Sequence, residues 1–255
     1  LKNFLLNQSL AVRTNVLPEV KKVINAVPVD FSSVRPYKTN IKEWLKPVID
    51  LEDFYVYPTN GITEGLNWWY HTDNRSVAME IGEYQWIKPR ATQEPFIMYQ
   101  SVPSSIDGNF KEVVQNTPVA LDLAYVGSTR VQRIEIDKNV EYVFYSLSKS
   151  FGVRNIRTGW LFTRKQDLRL EALTHNAKYY NYFANDVSES IINNFDIDYI
   201  HSKLYKDQLD ICSQLNLTPS DSVWLATTQD DEYKKFRRQG NTARICLAGV
   251  YNEKT

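Results

Sequence analysis

One lysine stands among hydroxyls near the middle of the chain. In FYSLSKSFGVRNIRTGW, residues 144–160, Lys149 is flanked by Ser146, Ser148 and Ser150. The stretch begins as an apolar, strand-prone run, turns polar at Lys149 and becomes apolar again at Trp160. A lone amine at the edge of a sheet becomes a nucleophile once deprotonated. The same composition suits a polar turn between strands with Lys149 in solvent, and the stretch alone leaves both readings open. Three further places offer chemistry. PTNGITEG at 58–65 is a loop of small residues that opens an apolar helix. Its free N–H groups and the helix dipole would suit an anion; alternatively Thr59 or Asn60 is an ordinary helix cap. Asp122 follows the apolar run 118–121, and ligands of α/β sheets gather at the carboxyl ends of strands. Arg244 is a lone cation in the apolar segment 242–248, which by itself reads as a surface arginine on an edge strand.

The elements that must position these residues follow from pattern. Helical spacing predicts a helix over 17–26 and a second over 41–49, interrupted near Pro47, which Asn40 can cap. Short apolar or aromatic runs predict strands at 53–57, 77–81, 95–100, 118–121, 131–136, 142–146 and 160–163. The helix after the small-residue loop is expected over 66–70 and slightly beyond, and a brief one over 110–115. From 166 to 215 the periodicity is helical, with breaks expected near Asp186 and Asp196. The last part reads strand, helix, strand over 222–228, 232–238 and 242–248. Alternating strands and helices followed by a helical span and a small α/β end indicate a parallel-sheet domain with a smaller C-terminal one.

Composition narrows the function classes. The 255 residues are 43% hydrophobic and 24% charged, as in a globular chain with a substantial core. Thirty basic and thirty acidic residues cancel, which argues against a general attraction to nucleic acid or to an anionic membrane. No apolar run reaches the length of a membrane span. The two cysteines, Cys212 and Cys246, give neither a disulfide framework nor a zinc spacing, so a reducing, cytoplasmic setting is expected. His71, His175 and His201 form no metal spacing.

Taken in order, the chemical residues resemble the class I/II aminotransferases, a family of fold-type-I pyridoxal-phosphate (PLP) enzymes. The matching segments are TNGITE at 59–64, DLAY at 122–125, SLSK at 146–149 with RTGW at 157–160, and RICLAG at 244–249. The resemblance implies an α/β, three-layer PLP-dependent transferase-like fold. Its large domain would hold a mostly parallel sheet, and a small α/β domain would follow. The divisions would be 1–35 (N-terminal arm and part of the small domain), 36–180 (large, cofactor-binding) and 181–255 (small). It also implies pyridoxal 5′-phosphate as cofactor, an amino acid and a 2-oxo acid as substrates, and a homodimer.

By the same resemblance, Lys149 would join the cofactor aldehyde as an imine and later move the substrate's α-proton. Asp122 would pair with the pyridine nitrogen, and Tyr125 would donate to the ring oxygen. Tyr84 would stack on the ring, with Trp86 as the alternative. Arg157, Ser146, Ser148, Thr63 and the backbone N–H groups after Gly61, that of Ile62 among them, would hold the phosphate. Tyr37 would match the tyrosine given to the neighbouring subunit's phosphate, and Arg244 would clamp the substrate α-carboxylate. The chain departs from the family in three ways. Ser105 stands where an asparagine usually bonds the ring oxygen, Arg154 and Asn155 replace a Pro-Gly pair, and the interval from Gly61 to Asp122 is short. A lyase, decarboxylase or synthase on this scaffold would share the cofactor residues, and a shortened PLP-binding protein without turnover is the third expectation. Arg244 is the residue that favours transamination, because that reaction retains the α-carboxylate.

Overall fold

The structure is a computed structural model, and it describes residues 1–30, 33–90 and 95–251. Its elements in chain order are α1 (Lys2–Asn7), α2 (Pro18–Asn25), α3 (Ile41–Leu45), β1 (Tyr55–Pro58), α4 (Ile62–Thr72), β2 (Ser76–Met79), β3 (Phe96–Ser101), β4 (Val119–Asp122), β5 (Val140–Tyr145), α5 (Leu147–Ser150) and β6 (Trp160–Thr163). They continue with α6 (Leu168–Glu171), α7 (Tyr182–Asn194), α8 (Tyr199–Leu215), β7 (Thr218–Pro219), β8 (Leu225–Thr228), β9 (Arg237–Gln239), β10 (Thr242–Cys246) and α9 (Ala248–Tyr251).

Strands β1 to β6 form one sheet in the order β1-β6-β5-β4-β3-β2. Neighbours from β2 to β5 run parallel, and β6 is antiparallel to both β5 and β1. The short strands are apolar almost throughout because both faces are covered. Successive side chains alternate between two cores. Ala120, Phe144 and Leu161 pack with Leu66 and Trp69 of α4. Leu121, Val143, Tyr145 and Phe162 pack on the other face, in a core that continues through α3, α7 and α8 into the second sheet. That sheet is antiparallel, in the order β7-β8-β10-β9. The N-terminal segment is tied to it: Gln8 Nε2 donates to the Cys246 carbonyl (2.9 Å) and Asn15 Nδ2 to that of Ala248 (3.1 Å).

Register decides what meets at the sheet's upper edge. Ser101 pairs with Asp122, and Asp122 with Phe144, so β3, β4 and β5 end level. The antiparallel β6 sets Pro58, the last residue of β1, opposite Trp160. This brings the loop after β1 against the loop before β6. A Cβ on Gly159 would lie 2.6 Å from the Gly61 Cα, so the two backbones touch where only glycine fits.

Several expectations are corrected. Helix α4 begins at Ile62, directly after Gly61, rather than at 66. Residues 110–115 are not helical: Gln100 donates to the Glu112 carbonyl and accepts from Val114 N–H, holding that segment extended beside β3. Residues 131–136 run without a strand partner, although Ile134 N–H reaches the Val48 carbonyl. The first break in the long helical span falls before Asn181, which caps α7 through its side chain, and not at Asp186. The expected helix 232–238 is a 3-10 turn over Asp231–Phe236 that passes directly into β9.

The close approach gives a direct test. Gly159→Ala should lower stability by about 1–3 kcal/mol, as overpacking against rigid backbone does. Urea denaturation reads this, and an unchanged midpoint would mean that the two loops are not in contact.

Candidate active site

The carboxyl ends of β3, β4 and β5, the start of α4 and strands β9 and β10 surround a cavity of about 290 Å³. Its lining includes Ile62, Thr63, Tyr84, Ser105, Asp122, Tyr125, Ser146, Ser148, Lys149, Arg157 and Arg244. The four separate places of the sequence therefore meet in one site.

Asp122 ends β4 and is buried. Tyr99 Oη donates to its Oδ2 (2.6 Å) and Ala124 N–H to its Oδ1 (2.8 Å). Burial raises its carboxyl from the ordinary range to about 6; the Tyr99 and Ala124 bonds oppose that rise, and the nearby Glu83 adds to it. Tyr99 is held protonated well above its usual range, first by burial and then by Asp122.

Lys149 lies in the single-turn helix α5, which Ser146 caps through its Oγ. The lysine is therefore part of a helical turn and not of an open sheet-edge loop. The residue is half-buried, and its amine donates to the Val12 carbonyl (2.9 Å). Burial, and next the Arg244 charge, lower its pKa to about 8. Roughly a tenth of such an amine is neutral at pH 7 and able to act as nucleophile or base.

Arg244 is buried at the centre of β10. Its guanidinium donates to the Ser105 carbonyl, to the Leu10 carbonyl (3.4 Å) and to Tyr125 Oη (3.4 Å), and forms no salt bridge with a described residue. A sheltered guanidinium with only neutral partners is suited to a carboxylate. Burial raises the pKa of Tyr125, while Arg244 pulls it back.

The other end of the cavity has the features of a phosphate cradle. Helix α4 has no side-chain cap: Thr59 Oγ1 donates to the Gly61 carbonyl, and the Asn60 side chain is taken by Glu64 and Asn181. The ordinary-cap reading is thereby set aside. Gly61 has φ of +83°, and a Cβ there would come within 3.0 Å of Arg157 Nη2. Arg157 itself holds φ of +65°, a left-handed conformation uncommon outside glycine. Ser148 Oγ is buried with no hydrogen-bond partner among the described residues. Helix N–H groups, a guanidinium and an unpartnered hydroxyl together fit a phosphate monoester.

Not every expected residue takes its expected place. The Ser105 hydroxyl donates to Glu83 Oε2 (2.7 Å), so it is committed away from a ring oxygen. Tyr37 lies outside the cavity of this chain, its ring buried edge-on to His175 and Tyr180. Tyr84 lines the cavity beside Thr63, whereas Trp86 turns its indole N–H to Asn67 (2.8 Å) on the surface. The sequence reading missed Tyr99, Glu83 and Arg238, and also the arm carbonyls of Leu10 and Val12. Tyr99 could have been found from its place in β3, two residues before the strand end that the register sets beside Asp122. A backbone carbonyl leaves no mark in a sequence. Among the described residues no group of His, Cys, Asp and Glu could hold a metal ion, and no helix is long and apolar enough to cross a membrane.

Comparison with solved structures places this architecture. The PLP-bound C-S lyase from Staphylococcus hominis matches with a TM-score of 0.70 and 10% identity over 93% of this chain and 86% of that one. The L-threonine-O-3-phosphate decarboxylase from Porphyromonas gingivalis matches with a TM-score of 0.61 and 17% identity over 92% of both chains. An aminotransferase from Staphylococcus aureus matches with a TM-score of 0.62 and 12% identity over 95% and 90%. No protein-family model matches the sequence, and no curated protein matches it. The chain has the fold of the fold-type-I PLP-dependent enzymes. Its neighbours on that fold carry a lyase, a decarboxylase and an aminotransferase, so the reaction has to be argued from the site.

The raised carboxyl of Asp122 makes stability depend on pH. Its proton is bound more tightly in the folded chain, which contributes stability below the ordinary carboxylate range that is lost as pH rises through about 6. The contribution is at most about 3 kcal/mol. Asp122→Asn removes it, so the variant should gain on the parent by about that amount between roughly pH 4 and pH 6 in urea titrations. A constant difference would show that the carboxyl is not raised.

Proposed function

We propose that the protein is a PLP-dependent aminotransferase that exchanges an amino group between an amino acid and a 2-oxo acid. The observation that carries this reading is Arg244. It is a buried guanidinium without an anionic partner among the described residues, on the wall of the cavity that also holds Lys149 and Asp122. The PLP-bound neighbours on the same fold support the choice of cofactor.

Pyridoxal 5′-phosphate, when bound, supplies an aldehyde that condenses with amines and a protonated ring that accepts the electron pair left at a substrate α-carbon. Arg157, the N–H groups of Ile62 and Thr63, Ser146 and Ser148 would hold its phosphate. Lys149 would hold the aldehyde end, and Asp122 would keep the ring nitrogen protonated. Asp122 suits that role because a buried carboxylate gains a cationic partner there. Tyr125 would donate to the ring oxygen, and Tyr84 would cover the ring face. The Lys149 amine, made less basic by burial, takes the α-proton and returns it. Arg244 fixes the α-carboxylate and with it the direction of the α-C–H bond towards Lys149. The N-terminal segment, through Ala11, Val12 and Thr14, closes one side of the cavity against water.

A β-eliminating lyase is the second reading, favoured by the likeness to the C-S lyase, since it also keeps the α-carboxylate on Arg244. Half-reactions separate the two. Protein loaded with PLP should absorb as a yellow, borohydride-sensitive species that Lys149→Ala lacks. Single additions of amino acid should abolish that absorbance with release of one 2-oxo acid. Release of ammonia with the absorbance retained would instead identify a lyase, and a protein that stays colourless with added PLP would overturn both. Arg244→Gln removes two charge-assisted hydrogen bonds, about 3 kcal/mol, and should raise KM for the amino acid by at least about a hundredfold.

A further inference from the structure

The cavity carries more positive charge than a cofactor phosphate and one carboxylate require. Its lining includes Lys149, Arg154, Arg157, Arg238 and Arg244 against the single carboxylate of Asp122. Arg154 and Arg157 reach the rim, where water screens them. Arg238 does not: it is half-buried in β9, beside the strand that bears Arg244. The alternation of β9 splits its two arginines. Arg237 turns outward to Asp231 and the Asn241 carbonyl, whereas Arg238 turns into the cavity.

The Arg238 side chain forms no hydrogen bond or salt bridge with a described residue. Its acidic neighbour is Glu83, but Glu83 is occupied. It accepts from the Ser101 hydroxyl (2.7 and 2.8 Å), from Ser101 N–H (3.0 Å), from the Ser105 hydroxyl (2.7 Å) and from Tyr84 N–H (3.1 Å). Strand β9 is fixed against that same loop, because a Cβ on Gly82 would lie 2.7 Å from the Arg238 carbonyl oxygen. Burial and the like charge of Arg244 both weaken the hold of Arg238 on its proton. Two sheltered guanidinium groups side by side repel unless an anion stands near each.

We propose that Arg238 binds a second anionic group on the substrate, so that the preferred amino acid carries an acidic side chain, a carboxylate or a phosphate ester. This rests on the assignment of Arg244 to the α-carboxylate. With Arg244 on one end of the molecule and Arg238 on the other, the substrate is held at two points and its α-carbon is directed to Lys149. A neutral side chain would leave Arg238 half-buried without an anion in direct contact, with only the nearby charge of Glu83 to offset it.

The test compares matched pairs: L-glutamate with L-glutamine, and O-phospho-L-serine with L-serine, as kcat/KM or half-reaction rate. The anionic member should be preferred by about tenfold or more, the effect of one charge-assisted contact. In Arg238→Gln the ratio should collapse towards one, and Arg238→Lys should retain part of it. A preference in the first pair alone assigns a carboxylate, and one in the second alone a phosphate ester. Equal rates within both pairs, or an equal loss for both members in Arg238→Gln, would overturn the proposal. The second outcome would place Arg238 on the α-carboxylate. Calorimetric titration with glutarate and with pentanoate, with and without PLP, judges Arg238 without any turnover. Glutarate should bind about tenfold tighter than pentanoate in the parent and not in Arg238→Gln. A protein that never takes up PLP would fail the aminotransferase reading while this titration still decides the second anion site.

Discussion

The site depends on a carboxylate held out of water. Asp122 sits at the end of β4 with Tyr99 and the Ala124 N–H as its direct donors and no cation in contact among the described residues. Two neutral hydrogen bonds do not repay the desolvation of an ionised carboxylate, which is why its pKa stands near 6. The cost is tolerated because neighbouring elements arrange charge around it. Strands β3, β4 and β5 end level, and α5 begins just beyond β5, so the Lys149 amine reaches the same cavity. The two groups are shifted towards each other by burial, Asp122 upward and Lys149 downward. Titratable groups whose environments move their pKa values in this way mark chemistry more often than structure.

A second constraint is geometric. A phosphate needs bare N–H groups, and these exist only where a helix starts without a side-chain cap. Here the start of α4 is kept bare by close packing: Gly61 lies against Gly159 and beneath Arg157. The antiparallel β6 makes this possible by returning the chain to the end of β1. A parallel strand in that place would put residues 157–159 at the opposite edge of the sheet. The reversal in one strand is therefore what sets Arg157 beside the Gly61 loop.

Much of this was legible in the sequence because it is written in side-chain type and period. Strands β1 to β6 lie within or close to the apolar runs, with one added run at 131–136 that found no partner. Lys149, Asp122 and Arg244 were identifiable because each is a lone charge at the end or in the middle of an apolar stretch. What escaped is carried by backbone or by tertiary choice. Residues 110–115 have helical composition, but a single side chain, Gln100, pairs with their backbone as a strand would. The resemblance puts Ser105 at a ring contact, yet the buried Glu83 claims its hydroxyl. Tyr37 sits in an irregular polar loop that reads as exposed, but His175 and Tyr180 enclose its ring. In each case a partner distant in sequence decided between two local options.

The N-terminal segment shows how the excess of positive charge is accommodated. The carbonyls of Leu10 and Val12 accept from Arg244 and Lys149, and Thr14 Oγ1 donates to the Ser148 carbonyl (3.1 Å). Backbone carbonyls are neutral acceptors, so they solvate the two cations without neutralising them. An anion arriving at Arg244 makes a stronger bond than a carbonyl does, and Lys149 needs a free amine to act. The contacts that steady these cations are thus the ones that the proposed substrate would exchange. The same segment is anchored on the second sheet by Gln8 and Asn15, outside the cavity. Those anchors can persist while Leu10 and Val12 give way, which lets the segment keep water out of the site without competing permanently for its charges.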